Sequence, residues 1–178
     1  MNDVWSLDSI YLSFDDPAFE ADFLSGKEKI AQFTALTETL PSADPLDALK
    51  SGIVLQEDIY SLSQKLVMYA SLRQYANSRD TSAQSQMGRL MGVFSAVAAP
   101  EAAFQEWAAA LPNLMELVEN CEELKEYTFL FETLRKDSIH LLGTLGEQIS
   151  ARMSLSGGDA WSDLQGYLAS TVPVSYRG

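Results

Sequence analysis

The chain has 178 residues, of which 12 are Lys or Arg and 25 are Asp or Glu, so its formal net charge at pH 7 is −13. This charge repels nucleic-acid phosphates and anionic lipid head groups, and no basic run offsets it, so neither is an expected partner. With 47% hydrophobic and 21% charged residues, the chain has enough apolar surface to fold, which argues against a disordered protein.

The single cysteine and the N-terminal sequence indicate a cytoplasmic setting. Cys121 is the only cysteine, so no internal disulfide can form. The first residues lack the basic start and apolar core of a signal peptide, and no apolar run approaches the roughly 18 residues of a membrane span. We therefore expect neither export by the usual signal nor a membrane anchor.

The first predicted helix begins after an acidic pair. Asp15, Asp16 and Pro17 are typical of a helix start, because an acidic side chain can cap free N–H groups and Pro suits the first helical position. The helix is predicted from about Pro17 to Thr39, and the segment Leu40 to Leu46, with two prolines, ends it. Its apolar face is predicted to consist of Phe19, Phe23, Ile30, Phe33 and Leu36.

Two longer periodic runs follow, with apolar residues at steps of three and four. The stripe of the second helix is predicted to be Leu55, Ile59, Leu62, Leu66, Tyr69, Leu72 and Ala76, widened by Tyr60, Val67, Met68 and Tyr75. Asn77 to Ser82 is a polar break that supplies cap residues. The third stripe is Met87, Leu90, Phe94, Val97, Phe104, Ala108 and Leu111, and Pro100 within it predicts a kink.

Shorter elements complete the chain. Pro112 and Asn113 open a short helix through Leu117 and Val118, and further helices are predicted at about Cys121 to Lys136 and Thr144 to Met153. Gly157 and Gly158 predict a break, with Asp159 as a cap. The expected inward residues of the helix at Cys121 to Lys136 are Leu124, Tyr127, Leu130, Phe131 and Leu134, and those of the last helix are Trp161, Leu164, Tyr167 and Leu168.

The predicted fold is all-α, a multi-helix elongated bundle that forms one domain over residues 1–178. The candidate linkers are short, which argues against several domains. Val172, Val174 and Tyr176 alternate, which predicts a short β-strand at the C-terminal end.

No catalytic constellation is evident from the residues. His140 is the only histidine, with Asp137 three residues before it, but a carboxylate-bridged metal site needs that pair twice plus two further acids. A His that hydrogen-bonds at a helix junction is the favoured interpretation. HExxH, GxxxxGK[ST], GxGxxG and GxSxG motifs are absent from the sequence.

Two acidic pairs and three tryptophans are better explained by structural roles than by catalysis or ligand binding. Asp15/Asp16 and Glu122/Glu123 are better explained by a helix start and a solvated face than by acid/base catalysis, since adjacent helical residues point about 100° apart. Trp5, Trp107 and Trp161 are predicted to be core or interface anchors. No catalytic, cofactor-binding or metal-binding residue is predicted.

Five segments, in order along the chain, resemble the sequence pattern of one family. The opening WSLDSIYLSFDDPAFEADF is similar to "W-x-L-x-x-I/L-Y-x-S-x-D-D-P-x-F-x-x-D", the opening typical of the oligoendopeptidase F family, zinc oligopeptidases akin to thimet oligopeptidase. The segment from Leu66 to Leu90 resembles its "L-x-x-Y-A-x-L" helix and "A-Q-x-x-x-G-R-L" start. Pro100–Glu101, LKEYTFLFETLRKDSIHLL and SLSGGDAWSDLQGYLAST follow the remaining segments, with His140 and Glu147 in matching positions and with Phe131 and Gly143 departing from the usual Leu and Ser.

The resemblance implies the N-terminal noncatalytic lobe of a zinc-dependent oligoendopeptidase that hydrolyses short peptides, one wall of its substrate channel. Family members are about three times as long, and their HExxH zinc motif lies in the C-terminal part, which this chain lacks. The implied zinc therefore belongs to the parent's catalytic lobe in cis, and this chain alone is expected to be inactive and metal-free. The family's strand is expected to continue beyond Gly178.

An alternative stays open, namely a free-standing acidic helical protein-interaction module. A lobe separated from its catalytic half is also expected to self-associate, through apolar side chains and unpaired strand edges near Val172, Val174 and Tyr176.

Overall fold

The computed structural model describes residues 6–77, 80–138, 146, 149–150 and 153–173. Seven α-helices are defined within these ranges, and no residue described there lies in a strand, so the predicted all-α class is confirmed. The helices are α1 (Pro17–Thr39), α2 (Pro45–Ala76), α3 (Thr81–Phe94), α4 (Ala98–Ala110), α5 (Leu114–Glu119), α6 (Thr128–Ser138) and α7 (Ala160–Thr171).

The chain divides into two compact units, Met1–Glu132 and Thr133–Gly178. In the first unit, α1 packs against α2, α3 and α4, and α2 also packs against α3. In the second, α7 packs against the turn that precedes it. A single domain and an elongated shape stay predictions.

Local signals place both ends of α1 where the sequence predicts them. The Asp16 side chain accepts a hydrogen bond from the Ala18 N–H, and Pro17 occupies the first turn. Phe19, Phe23, Ile30 and Phe33 are buried, which confirms the predicted apolar face, and Leu36 is half-buried at its edge. A 3₁₀ turn, Leu40–Ser42, ends the helix.

Helix α2 begins ten residues before the first residue of its predicted stripe. Asp44 caps it by accepting hydrogen bonds from the N–H groups of Leu46 and Asp47, with Pro45 in the first turn. The prediction that Tyr60, Met68 and Tyr75 widen the core stripe is wrong, because all three are at least half exposed. At 100° per residue they fall on the face turned away from Ile59, Leu66 and Ala70, which the neighbouring helices bury. Leu72 and Ala76, in the last two turns, are exposed as well.

Pro100 marks a boundary between two helices. Asp80 caps α3, as the polar break predicts, by accepting from Ser82 and Ala83. A 3₁₀ turn, Ser95–Val97, separates α3 from α4, and Pro100 is buried in the first turn of α4. A proline there loses no intrahelical hydrogen bond, because the first N–H groups of a helix have no partner within it.

The helix predicted from Cys121 to Lys136 is shorter than expected. Residues 121–124 form turns and Lys125–Tyr127 a 3₁₀ turn, so α6 begins only at Thr128. The turn still directs Leu124 and Phe131 into the core, but Leu130 is half exposed, and Tyr127 and Leu134 are half-buried. The short helix after Pro112 is confirmed as α5.

The predicted break at Gly157 and Gly158 is wrong. Leu155–Asp159 forms a π-helical turn that runs directly into α7, so the chain stays helical through both glycines. Neither has the positive φ that favours glycine, and the cost of each in a helix, about 1 kcal/mol, does not suffice to end it. The same unbroken turn leaves no helix start at Asp159.

The C-terminal predictions are tested only in part. The described residues of the predicted helix at Thr144 to Met153 are helical, at 146, 149, 150 and 153. Val172 and Pro173 lie in neither helix nor strand, and Val174 and Tyr176 fall outside the described residues, like Trp5 and His140. Within the described ranges, no helix has both the length and the apolar character needed to cross a membrane.

Candidate functional site

The structure does not test whether the histidine considered as a metal ligand lies beside Asp137. His140 lies outside the described residues, as does Glu147, and Asp137 is exposed in the last turn of α6. Among the residues described, no group of three or more His, Cys, Asp or Glu side chains could hold a metal ion. These residues do not fit a zinc site.

The first acidic pair acts as a helix start. Besides the Ala18 N–H, Asp16 accepts the N–H of Leu12 at 2.9 Å, so it ties the N-terminal segment to α1. These two backbone hydrogen bonds lower the pKa of the Asp16 carboxyl. Its neighbour Asp15 is exposed, so the pair has the solvated character expected of a helix start.

The second acidic pair lies on the surface and is divided between two cations. Glu122 pairs with Lys125, whereas Glu123 accepts from Lys50 of α2 at 3.2 Å and from the Cys121 thiol at 3.0 Å. The thiol's hydrogen bond, followed by the Glu123 backbone N–H and Lys50, lowers the pKa of Glu123 to about 2. The arrangement joins the loop after α5 to α2.

A buried tyrosine holds the N-terminal segment on the helices. The Tyr11 hydroxyl donates to Asp22 of α1 at 2.6 Å, and Lys65 of α2 donates to the same oxygen at 2.7 Å. The Lys65 ammonium also lies 4.5 Å from the centre of the Tyr11 ring. Burial raises the pKa of Tyr11, and its hydrogen bond to Asp22 raises it further, so the hydroxyl stays protonated.

The Asp22 carboxylate balances burial against two donors. Burial alone would raise its pKa, but the hydrogen bonds from Lys65 and Tyr11 outweigh that effect and lower it. Asp22 is therefore ionised at neutral pH and has both neighbours as fixed partners. It stabilises the packing of the N-terminal segment and is not available as a general base.

Aromatic rings fill the space beneath this segment. The ring centre of Phe19 lies 5.2 Å from that of Tyr11 and 5.5 Å from that of Phe14, and the ring centre of Tyr69 in α2 lies 5.2 Å from those of Tyr11 and Phe14. All four contacts are edge-to-face pairs. Tyr69 is fully buried, and its hydroxyl has no hydrogen-bond partner among the described residues. An unpartnered buried hydroxyl lowers stability.

Two arginines connect α1 and α2 to α3. Arg89 makes a bidentate pair with Glu20 of α1, at 2.8 and 2.7 Å, and lies 3.8 Å from the centre of the Phe23 ring. Arg73 of α2 lies 5.5 Å from the centre of the Phe14 ring and pairs with Asp80 at 3.4 Å. Both arginines connect neighbouring helices, Arg89 through a pair that spans 69 residues and Arg73 through a pair that spans seven.

Two pockets in the first unit are smaller than a typical substrate site. A small cavity of about 120 Å³ lies between α2 and the α3–α4 junction, lined by residues that include Ile59, Tyr60, Phe94 and Glu101. Ligand sites commonly have volumes of 300–1,000 Å³, so this cavity does not hold a peptide. A polar hollow of about 270 Å³ next to Arg73 and Asp80 is lined by ion-paired side chains.

The two tryptophans within the described residues differ in their environment. Trp107 is half-buried, with its ring centre 5.9 Å from that of the buried Phe104, as expected of a core anchor. Trp161 is 70% exposed on α7. It lines an apolar groove of about 370 Å³ with Leu164, Leu168 and Val172.

Comparison with protein families identifies one segment. Residues 97–172 match the model of the peptidase M3 N-terminal family, described as oligopeptidase F. The comparisons with curated proteins and with solved structures gave no significant match. The family match covers α4 to α7 and confirms the resemblance predicted from the sequence over those residues.

Proposed function

With residues 97–172 assigned to the N-terminal part of oligopeptidase F, we propose that this chain is the noncatalytic lobe of a zinc-dependent oligoendopeptidase that hydrolyses short peptides. The family match is the observation that carries the proposal. The lobe forms one wall of a channel that admits short peptides, and the catalytic lobe of the same polypeptide forms the rest. The site of action is the cytoplasm.

The roles of the N-terminal pattern residues support a scaffolding part. The polar side-chain atoms of Tyr11, Asp16 and Asp22 form hydrogen bonds that hold the N-terminal segment and cap α1. Arg89 is committed to Glu20. Hydrogen bonds and ion pairs that connect the N-terminal segment and the helices in this way suit a scaffolding part.

The proposal places the zinc in the catalytic lobe, because the resemblance to the family implies that the HExxH motif lies there. The metal, its HExxH ligands and the catalytic base belong to the catalytic lobe. The short-peptide specificity and the channel rest on the resemblance to the family.

The test starts with the coding sequence beyond Gly178. An in-frame HExxH supports the proposal, whereas a stop codon directly after Gly178 refutes it and favours a free-standing acidic interaction module. The polypeptide that contains HExxH is then assayed on a quenched fluorescent peptide of about ten residues and on a folded protein that contains the same sequence.

We expect EDTA-sensitive cleavage of the peptide only. The same polypeptide without residues 1–172, if it remains folded by circular dichroism, is expected to lose this discrimination. Equal cleavage of the folded protein by the intact polypeptide would refute the assignment of a channel wall.

A further inference from the structure

Helix α7 carries an apolar stripe that the structure leaves uncovered. Trp161, Leu164 and Leu168 follow one another at steps of three and four, so they share one face of α7, and Val172, directly after the helix, lines the same groove. Their exposed fractions are 70, 43, 54 and 62%. Four large apolar side chains that are exposed next to one another are typical of an interaction surface, whereas single exposed apolar residues are common on any protein.

The described residues that line the groove beside the stripe are uncharged. The remaining residues that line its groove are Gln165 and Ala169. The sequence of α7 contains a single charged residue. Apolar contact is therefore the chemistry available to an occupant.

The distribution of charge along the chain bears on what can bind to the stripe. Thr133–Gly178 contains four basic and four acidic residues, so its formal charge is zero, and the whole net charge of −13 belongs to Met1–Glu132. Two copies of the chain repel each other through their first units. A contact made between two second units joins surfaces of zero formal charge and adds no net repulsion of its own.

We propose that the α7 stripe binds the α7 stripe of a second copy, forming a two-fold symmetric dimer. A helix face is self-complementary under two-fold symmetry, so each Trp161 can pack beside the Leu164 and Leu168 of its partner. The contact is a pair of helices joined through apolar side chains. It does not require the β-strand edge predicted at Val172 to Tyr176.

The expected affinity is low. A stable dimer buries about 800 Å² on each partner, and one face of a twelve-residue helix provides less than that. The net charge of each copy weakens association further at low ionic strength. We expect a dissociation constant on the order of 100 μM that decreases as salt screens the first units.

The experiment measures self-association of the 178-residue chain by sedimentation velocity from about 5 to 500 μM. Leu168→Glu places a charge at the centre of the stripe in both copies. Met91→Glu adds the same charge at a 56% exposed position on α3 and is the matched control. A chain ending at Pro173 retains the stripe but lacks the residues of the predicted strand.

We expect the parent chain, Met91→Glu and the shortened chain to dimerise with dissociation constants within about threefold, and Leu168→Glu to weaken dimerisation at least tenfold. A monomeric parent chain at 500 μM would overturn the proposal. So would dimerisation that survives Leu168→Glu, or that disappears in the shortened chain.

A second readout detects coverage within one chain. In a Trp5→Phe, Trp107→Phe background, the emission of Trp161 should shift to shorter wavelength as concentration rises. A short emission wavelength at all concentrations would show that the chain covers its own stripe, and it would also refute the dimer. None of these outcomes depends on peptidase activity or on zinc, so they are independent of the test of the proposed function.

Discussion

Replacing Gly52 by alanine tests the closest helix contact of the first unit. Gly52 is buried in α2, and a Cβ added to it would lie 2.2 and 2.4 Å from two ring carbons of Phe104 in α4. Carbon atoms in contact are about 3.5–4.0 Å apart, so the Phe104 ring must move by more than 1 Å. The Phe104 side chain is 2% exposed and lies next to Phe33 and Trp107, so its ring has little room to move.

The expected change in the free energy of unfolding results from two opposing effects. Overpacking a filled core costs about 1–3 kcal/mol, and a displaced aromatic ring is at the upper end of that range. Alanine gains about 1 kcal/mol over glycine inside a helix. Gly52→Ala should therefore lower the free energy of unfolding by about 1–2 kcal/mol.

Gly92→Ala is the matched control, because a Cβ at Gly92 in α3 would meet no atom within 4 Å. It should raise the free energy of unfolding by about 0.5–1 kcal/mol, since only the helix-propensity gain remains. Urea unfolding followed by far-UV circular dichroism and by tryptophan fluorescence measures both variants. If Gly52→Ala is stabilised as much as Gly92→Ala, the described contact between α2 and α4 is wrong.

Three further predictions concern buried polarity, pH and metal. Tyr69→Phe removes a buried hydroxyl without a partner among the described residues, so thermal unfolding should show a gain of about 1 kcal/mol, and a loss of that size would reveal a hidden hydrogen-bond partner. Asp22→Asn should lower stability at pH 7 by about 1 kcal/mol because it ends the ion pair with Lys65. Since the folded state lowers the pKa of Asp22, its stabilisation is complete above the unfolded pKa and is lost as pH falls through the folded one. The difference between the parent and Asp22→Asn should therefore shrink in urea titrations from pH 6 to pH 2, and a constant difference would contradict the described hydrogen bonds. The 178-residue chain should show no EDTA-sensitive peptide hydrolysis and no stoichiometric zinc by metal analysis, and one tightly held zinc per chain would refute its noncatalytic role.

The helix starts could be predicted where a few adjacent residues determine them. Asp16 with Pro17, and Asp80 with the residues that follow, satisfy the free N–H groups of α1 and α3 by local hydrogen bonds alone. The start of α2 at Pro45 has the same signal in Asp44. The two prolines of the segment Leu40 to Leu46 obscure it, because the first ends α1 and the second begins α2, although together they resemble a single break.

The predictions of burial and of a helix break were wrong where the surrounding structure, and not the local sequence, determines the outcome. Tyr60 and Tyr75 continue the apolar composition of α2, but the sequence does not show how many helices surround it, and only one face is covered. Gly157 and Gly158 look like a break, yet the π turn through them retains its helical backbone. The ion pairs of Lys65 and Arg89 span 43 and 69 residues, so no sequence spacing could have revealed them.

The residues that carry the N-terminal resemblance specify the architecture of the lobe. Tyr11 donates a hydrogen bond to Asp22, eleven residues away, and Lys65 of α2 donates to the same carboxylate. These hydrogen bonds form only if the N-terminal segment lies on α1 and α2. Asp16 sets the start of α1 that brings Asp22 into position. Because these polar groups hold the segment in place, the N-terminal pattern is explained by the packing of the first unit. The peptidase assignment therefore depends on residues 97–172 and has to be tested on a polypeptide that includes a catalytic lobe.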